Sequence, residues 1–163
     1  MAIDRQKTET VHWHAVFTAS RAEKKVRDRL EELGVECFLP VQTVLRQWTY
    51  RKSRVVVPVI AGLVFVRVGR QEQVKVLQTK GVVAFLRLKG EAGAAVIPDK
   101  QMEDFRFLLD FSEEAVEMTN ENIKAGDLVR VVKGSLRGME GELIRHKGVT
   151  KVLVRIDMLG CAM

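Results

Sequence analysis

Residues 11–34 read VHWHAVFTASRAEKKVRDRLEELG. The first eight alternate. Val11, Trp13, Ala15 and Phe17 fall on one side, and His12, His14, Val16 and Thr18 on the other. A period of two in aromatic and β-branched residues specifies a strand. The period then changes: Ala22, Val26, Leu30 and Leu33 recur at helical spacing and form one apolar stripe. Ser20 followed by Glu23 has the form of a capping box and places the helix start there. Gly34 ends the stripe with a residue that accepts left-handed backbone. A strand feeding an amphipathic helix makes this a mixed α+β unit.

Upstream, MAIDRQKTET is polar and lacks the apolar core of a signal peptide. The longest apolar run, residues 55–66, is interrupted by Pro58 and Gly62 and falls short of the roughly 20 residues of a spanning helix. A cytoplasmic protein without a membrane partner is the expectation. With 47% hydrophobic and 29% charged residues the chain has an ordinary globular balance, and 163 residues suffice for one medium domain or two small ones. The net charge of +6 and a pI near 9.5 fit simple solubility, but the cations cluster, which favours nucleic acid. Cys37 and Cys161 are far apart and in no metal-ligand spacing, so they read as idle thiols.

Downstream of the helix, residues 35–48 are extended, with Pro40 at an edge or strand start. A basic aromatic stretch follows, RQWTYRKSR at 46–54, flanked by apolar strands and so read as a hairpin tip or exposed loop. Residues 55–58 and 63–68 are strand-like. A short helix spans 71–80 with Val74 and Leu77 inward, and another strand runs over 82–88. Pro98 can begin a helix that Met102, Phe105, Leu108 and Leu109 carry to about Phe111. The expected order is β-α-β-β-β-α-β-α.

Residues 112–124 are acidic and polar, a linker. Beyond them the texture is all β, with short strands at 128–133, 140–146 and 151–157 separated by glycine turns. The predicted organisation is a four-stranded antiparallel sheet with flanking helices over 8–112, a linker over 113–124, and a small β-barrel over 125–163.

The run GDLVRVVKGSLRGMEGEL at 126–143 resembles a KOW motif. The matching positions are Gly126, Asp127, Val129, Val131, Gly134, Leu136, Gly138 and Gly141. Gly134 and Gly138 permit tight turns, and Gly141 permits close strand approach. The N-terminal region resembles the NusG N-terminal domain through Trp13, Thr18, the Ser20 to Val26 helix start, Pro40 and the strand pair at 57–66. Together the two resemblances cover about residues 11–160. They imply an α+β sheet domain followed by an SH3-like barrel; the family's barrel has one more strand after Met163, so the expectation is either a truncated chain or a barrel lacking its last strand.

The resemblance implies a transcription elongation or antitermination factor without chemistry. Its first domain would dock an apolar patch on the clamp helices of RNA polymerase and touch the non-template single-stranded DNA, suppressing pausing. The barrel would recruit a ribosomal protein or a termination factor. The family's aromatic-Pro-Gly-Tyr segment reads Ile60-Ala61-Gly62-Leu63 here, and its aromatic after the first KOW glycine is Leu136. Both departures look like a specialised paralogue of the UpxY type, regulators of surface-polysaccharide operons. An alternative is a ribosome- or RNA-associated KOW protein acting in translation.

Candidate sites follow. Arg46, Trp48, Arg51, Lys52 and Arg54, with Tyr50 among them, combine cations for phosphates with aromatics for bases. Arg21, Lys24 and Lys25 form a second cationic group, or merely a wet helix face. Trp13, Phe17, Ile60, Gly62, Leu63 and Phe65 are candidates for the polymerase patch, although Trp13 and Phe17 read first as core. In the barrel, Leu136, Met139 and Ile144 are either partner contacts or core. His12 and His14 lack a third ligand, so no metal is expected. No motif assembles a serine, histidine and aspartate, so neither an enzyme nor a cofactor is expected.

Overall fold

The computed structural model describes residues 9–111, 126–132, 134, 136–146 and 148–153. The expected linker, the chain beyond residue 153 and Cys161 lie outside the described residues.

The central sheet is built from β1 (His12–Thr18), β2 (Glu36–Phe38), β5 (Leu63–Val68) and β6 (Val82–Phe85), in the order β2-β5-β1-β6 and antiparallel throughout. Three helices complete the domain: α1 (Glu23–Glu32), α2 (Arg70–Leu77) and α3 (Asp99–Phe111). Both faces of the sheet are covered. On one, Trp13, Ala15, Leu63 and Phe65 meet Met102 and Phe105 of α3. On the other, Val16, Val64 and Val66 meet Val26 and Leu30 of α1, with Val76 of α2 in the same cluster. The alternation in β1 therefore divides two cores rather than core from solvent. Phe65 and Phe105 contact edge to face, their centroids 6.0 Å apart. Burying such rings contributes about 1.5–3 kcal/mol each.

Helix α1 begins two residues later than the capping-box reading places it. Arg21 adopts φ 58°, Ala22 occupies the N-cap without a side-chain cap, and the Glu23 carboxylate is engaged elsewhere. At the other end, Gly34 N–H donates to Glu31 O (2.9 Å) and Val35 N–H to Leu30 O (3.0 Å), the two bonds of a Schellman termination. Gly34 has φ 74°. This reversal carries Val35 into the core, while Leu33, expected on the stripe, is 48% exposed.

The extended stretch from residue 35 is two strands, not one. It breaks at Leu39-Pro40, so the order becomes β-α-β-β-β-β-α-β-α. Strand β2 edges the central sheet; β3 (Val41–Gln47) leaves it and, among the described residues, pairs only with β4 (Lys52–Pro58) as a separate ribbon. Pro40 has no N–H for a ladder. Its carbonyl instead accepts Val59 N–H (2.8 Å), closing the ribbon's base.

In α2 the buried apolar residue is Val76, whereas Val74 and Leu77 are exposed. A one-residue phase error turns a helical face by about 100°, and barely two turns hold too few apolar residues to fix the phase.

The C-terminal unit is a three-stranded antiparallel sheet, β7 (Asp127–Arg130), β8 (Glu140–His146) and β9 (Val149–Leu153), in that order. Among the described residues it is this sheet, not a closed barrel. Gly134 and Gly138 adopt φ 94° and 91°. At Gly126 the backbones approach closely, and an added Cβ would collide with the Leu143 carbonyl.

Candidate nucleic-acid interface

The ribbon is the most cationic feature of the first domain. Residues 41–58 contain Arg46, Arg51, Lys52 and Arg54 and no acidic residue. None of these four forms an ion pair among the described residues. Pairing runs from Val41↔Pro58 to Gln47↔Lys52. Reciprocal Trp48 N–H to Arg51 O (2.7 Å) and Arg51 N–H to Trp48 O (3.4 Å) bonds then close the turn. Of the two forms expected for this stretch, hairpin tip or exposed loop, it takes the first, because the cross-strand ladder satisfies its backbone groups up to Thr49 and Tyr50.

The two aromatics differ. The Trp48 indole N–H donates to Ser53 Oγ (2.8 Å), which draws the ring back along the ribbon. Tyr50 is 98% exposed at the tip.

The second cationic group divides. Arg21, Lys24 and Lys25 are all exposed. Lys24 Nζ donates to Val56 O of the ribbon (2.9 Å), so this lysine ties α1 to β4 while its remaining donors face solvent. The helix start and ribbon therefore form one basic region.

The candidate polymerase patch is only partly at the surface. Trp13, Leu63 and Phe65 are 5%, 3% and 0% exposed and belong to the sheet core. Arg106 closes over Trp13 and Phe38, at 5.5 and 4.8 Å from the ring centroids. These three side chains present no docking surface in this structure, since α3 covers that face. Phe17 at the end of β1 is 40% exposed, and Ile60 is partly buried in the turn between β4 and β5. Gly62 holds that turn: its N–H donates to Glu23 Oε1 (2.7 Å), and its carbonyl accepts Thr18 N–H (2.9 Å). The rim is reduced to Phe17 and Ile60 on a fixed turn. Glu23, the residue that fixes it, is one the sequence reading assigned to a cap.

His14 lies on the α1 side of the sheet, 3% exposed, with Nδ1 2.8 Å from Ala95 O and its ring against Phe85. Burial pushes its pKa below the ordinary histidine value. The backbone contact occupies it, and among the described residues no group of three or more His, Cys, Asp or Glu could hold a metal. Burial also pushes the Cys37 thiol up to about 11, which keeps it protonated and unreactive. Among the described residues, no helix is long and apolar enough to cross a membrane.

In the C-terminal sheet, Met139 and Ile144 are buried and Leu136 is partly buried. Packing accounts for them. The exposed apolar residues are instead Leu128 at 87%, Val132 at 80% and Leu143 at 43%. Alternation along β7 could not identify the outer side without knowing what covers the inner one. Arg130 pairs with Glu140 across β7 and β8.

A family model described as NusG, transcription termination factor nusG, matches residues 11–106. No curated protein matches the chain. Among solved structures, one describing domain interaction in Thermotoga maritima NusG is 22% identical, with a TM-score of 0.49, covering 91% of this chain and 89% of that one. The MjSpt4:Spt5 complex in conformation B is 19% identical, with a TM-score of 0.33, covering 82% of this chain and 75% of that one.

Proposed function

Since the chain belongs to the NusG transcription-factor family, we propose that it is a non-catalytic elongation or antitermination factor that rides on RNA polymerase and holds the displaced non-template strand. The observation that carries this reading is the ribbon: four cations without a carboxylate among them, projecting from the sheet on the side where Lys24 joins α1 to β4. Such a strip suits a polyanion. Phe17 and Ile60 supply the apolar rim for the polymerase clamp helices, a smaller contact than the six-residue patch. The factor works by bridging two surfaces, so it needs neither cofactor nor turnover.

The aliphatic Ile60-Ala61-Gly62-Leu63 turn supports assignment to a specialised paralogue of the UpxY type acting in a surface-polysaccharide operon, in the cytoplasm. The C-terminal sheet, as a KOW domain, recruits a ribosomal protein or a termination factor. Purified chain is added to elongation complexes assembled on defined leader templates, and association and pause lifetimes are measured. The expected result is co-migration with the complex and shorter pauses. Absence of association on every template would overturn the reading, and binding to ribosomes alone would move it to translation.

A further inference from the structure

We propose that the ribbon holds single-stranded DNA on one face only, with phosphates along Lys52 and Arg54, and that Tyr50 rather than Trp48 is the platform for an unpaired base. This rests on the nucleic-acid reading given above.

The register decides the face. Directly opposed residues share a side, so Thr43↔Val56, Leu45↔Arg54 and Gln47↔Lys52 place six residues together. All six are exposed. The opposite face carries Gln42↔Val57, Val44↔Val55 and Arg46↔Ser53; all but Arg46 are partly buried. Lys52 and Arg54 are two residues apart on one strand, about 7 Å, and so present two neighbouring cations along an open track. Leu45 and Val56, 69% and 46% exposed, offer apolar ground between them. Arg46 points to the other side.

The tip decides the aromatic. Trp48 is committed to Ser53 Oγ, on the face that carries Arg46. Turning it outward to stack would break that bond. Tyr50 is free of neighbours at 98% exposure, beside Arg51 and on the path that leaves Lys52. A base stacked there costs no rearrangement, and every base has a face to offer. A protein surface would need acidic residues to satisfy four unpaired cations, whereas a DNA strand brings its own charge.

The test uses the full chain and fluorescently labelled oligothymidine, titrated at several NaCl concentrations. Y50A is expected to bind about tenfold more weakly with an unchanged salt slope. W48F, which keeps a ring and loses the indole N–H, is expected to bind like wild type. K52Q/R54Q is expected to lower the slope by about 1.4, and R46Q, on the opposite side of the ribbon, by less than half as much. Wild-type affinity in Y50A, an R46Q slope change half as large as that of K52Q/R54Q or larger, or tighter binding to duplex than to single strand would each overturn the inference. Association with nucleic-acid-free polymerase is measured in parallel. Its absence counts against the polymerase reading alone, while an unaffected Y50A counts against the ribbon assignment alone.

Discussion

The Glu23 carboxylate accepts the backbone N–H of Gly62 across 2.7 Å, joining the first turn of α1 to the turn that enters β5. Glu23 is 7% exposed, so the bond is shielded from water. Replacing Glu23 with Ala leaves the Gly62 N–H without its acceptor and is expected to cost about 1–3 kcal/mol. Glu23→Gln, which retains an acceptor oxygen, should lose less. Urea denaturation and exchange of the Gly62 amide check both variants. Equal stability of E23A and wild type would remove the tie.

His14 makes stability depend on pH. Its folded-state pKa lies below the unfolded value, so the unfolded chain takes up the proton first. The full contribution is present above about pH 6.5 and is lost as pH falls through the folded pKa. Melting temperature should therefore drop on acidification below pH 6.5, and His14→Gln should flatten that part of the profile. An identical profile in H14Q would place the dependence on other groups.

Phe17 and Ile60 test the reduced rim. The double change Phe17→Ser and Ile60→Ser should weaken association with polymerase by about thirtyfold, the effect of losing roughly 2 kcal/mol of apolar contact. Amide exchange in β1 and β5 reports whether the sheet is intact. Undiminished association with an intact sheet would remove these residues from the interface.

Gly126 tests the C-terminal sheet. A methyl group there meets the Leu143 backbone carbonyl, which cannot turn aside as a flexible side chain can. Gly126→Ala should destabilise the β7–β8 pairing by about 1–3 kcal/mol, seen as faster amide exchange in β7. Protection in β1 and β5 should be unchanged.

Much of the central sheet was legible because β1 and α1 carry opposite periodicities within 24 residues, and α3 repeats the helical one from Met102 onward. What escaped was set by partners distant in sequence. Glu23 has capping-box spacing from Ser20, yet an amide 39 positions away takes its oxygen. Trp13, Leu63 and Phe65 are apolar enough for a docking patch, and only the packing of α3 shows that they are covered. The split between β2 and β3 was marked by Pro40, but that the second half would leave the sheet depends on β4 being a better partner. Tyr50 stood in a recognisable basic stretch. Its difference from Trp48 rests on one hydroxyl, Ser53 Oγ, within reach of an indole.

Pro40 and Val59 clasp the ribbon at its root, and among the described residues no other strand depends on it for pairing. Lengthening or shortening it by matched pairs of residues would preserve the register below and leave both cores untouched. The ribbon is thus a finger that can be rewritten while the palm keeps its shape.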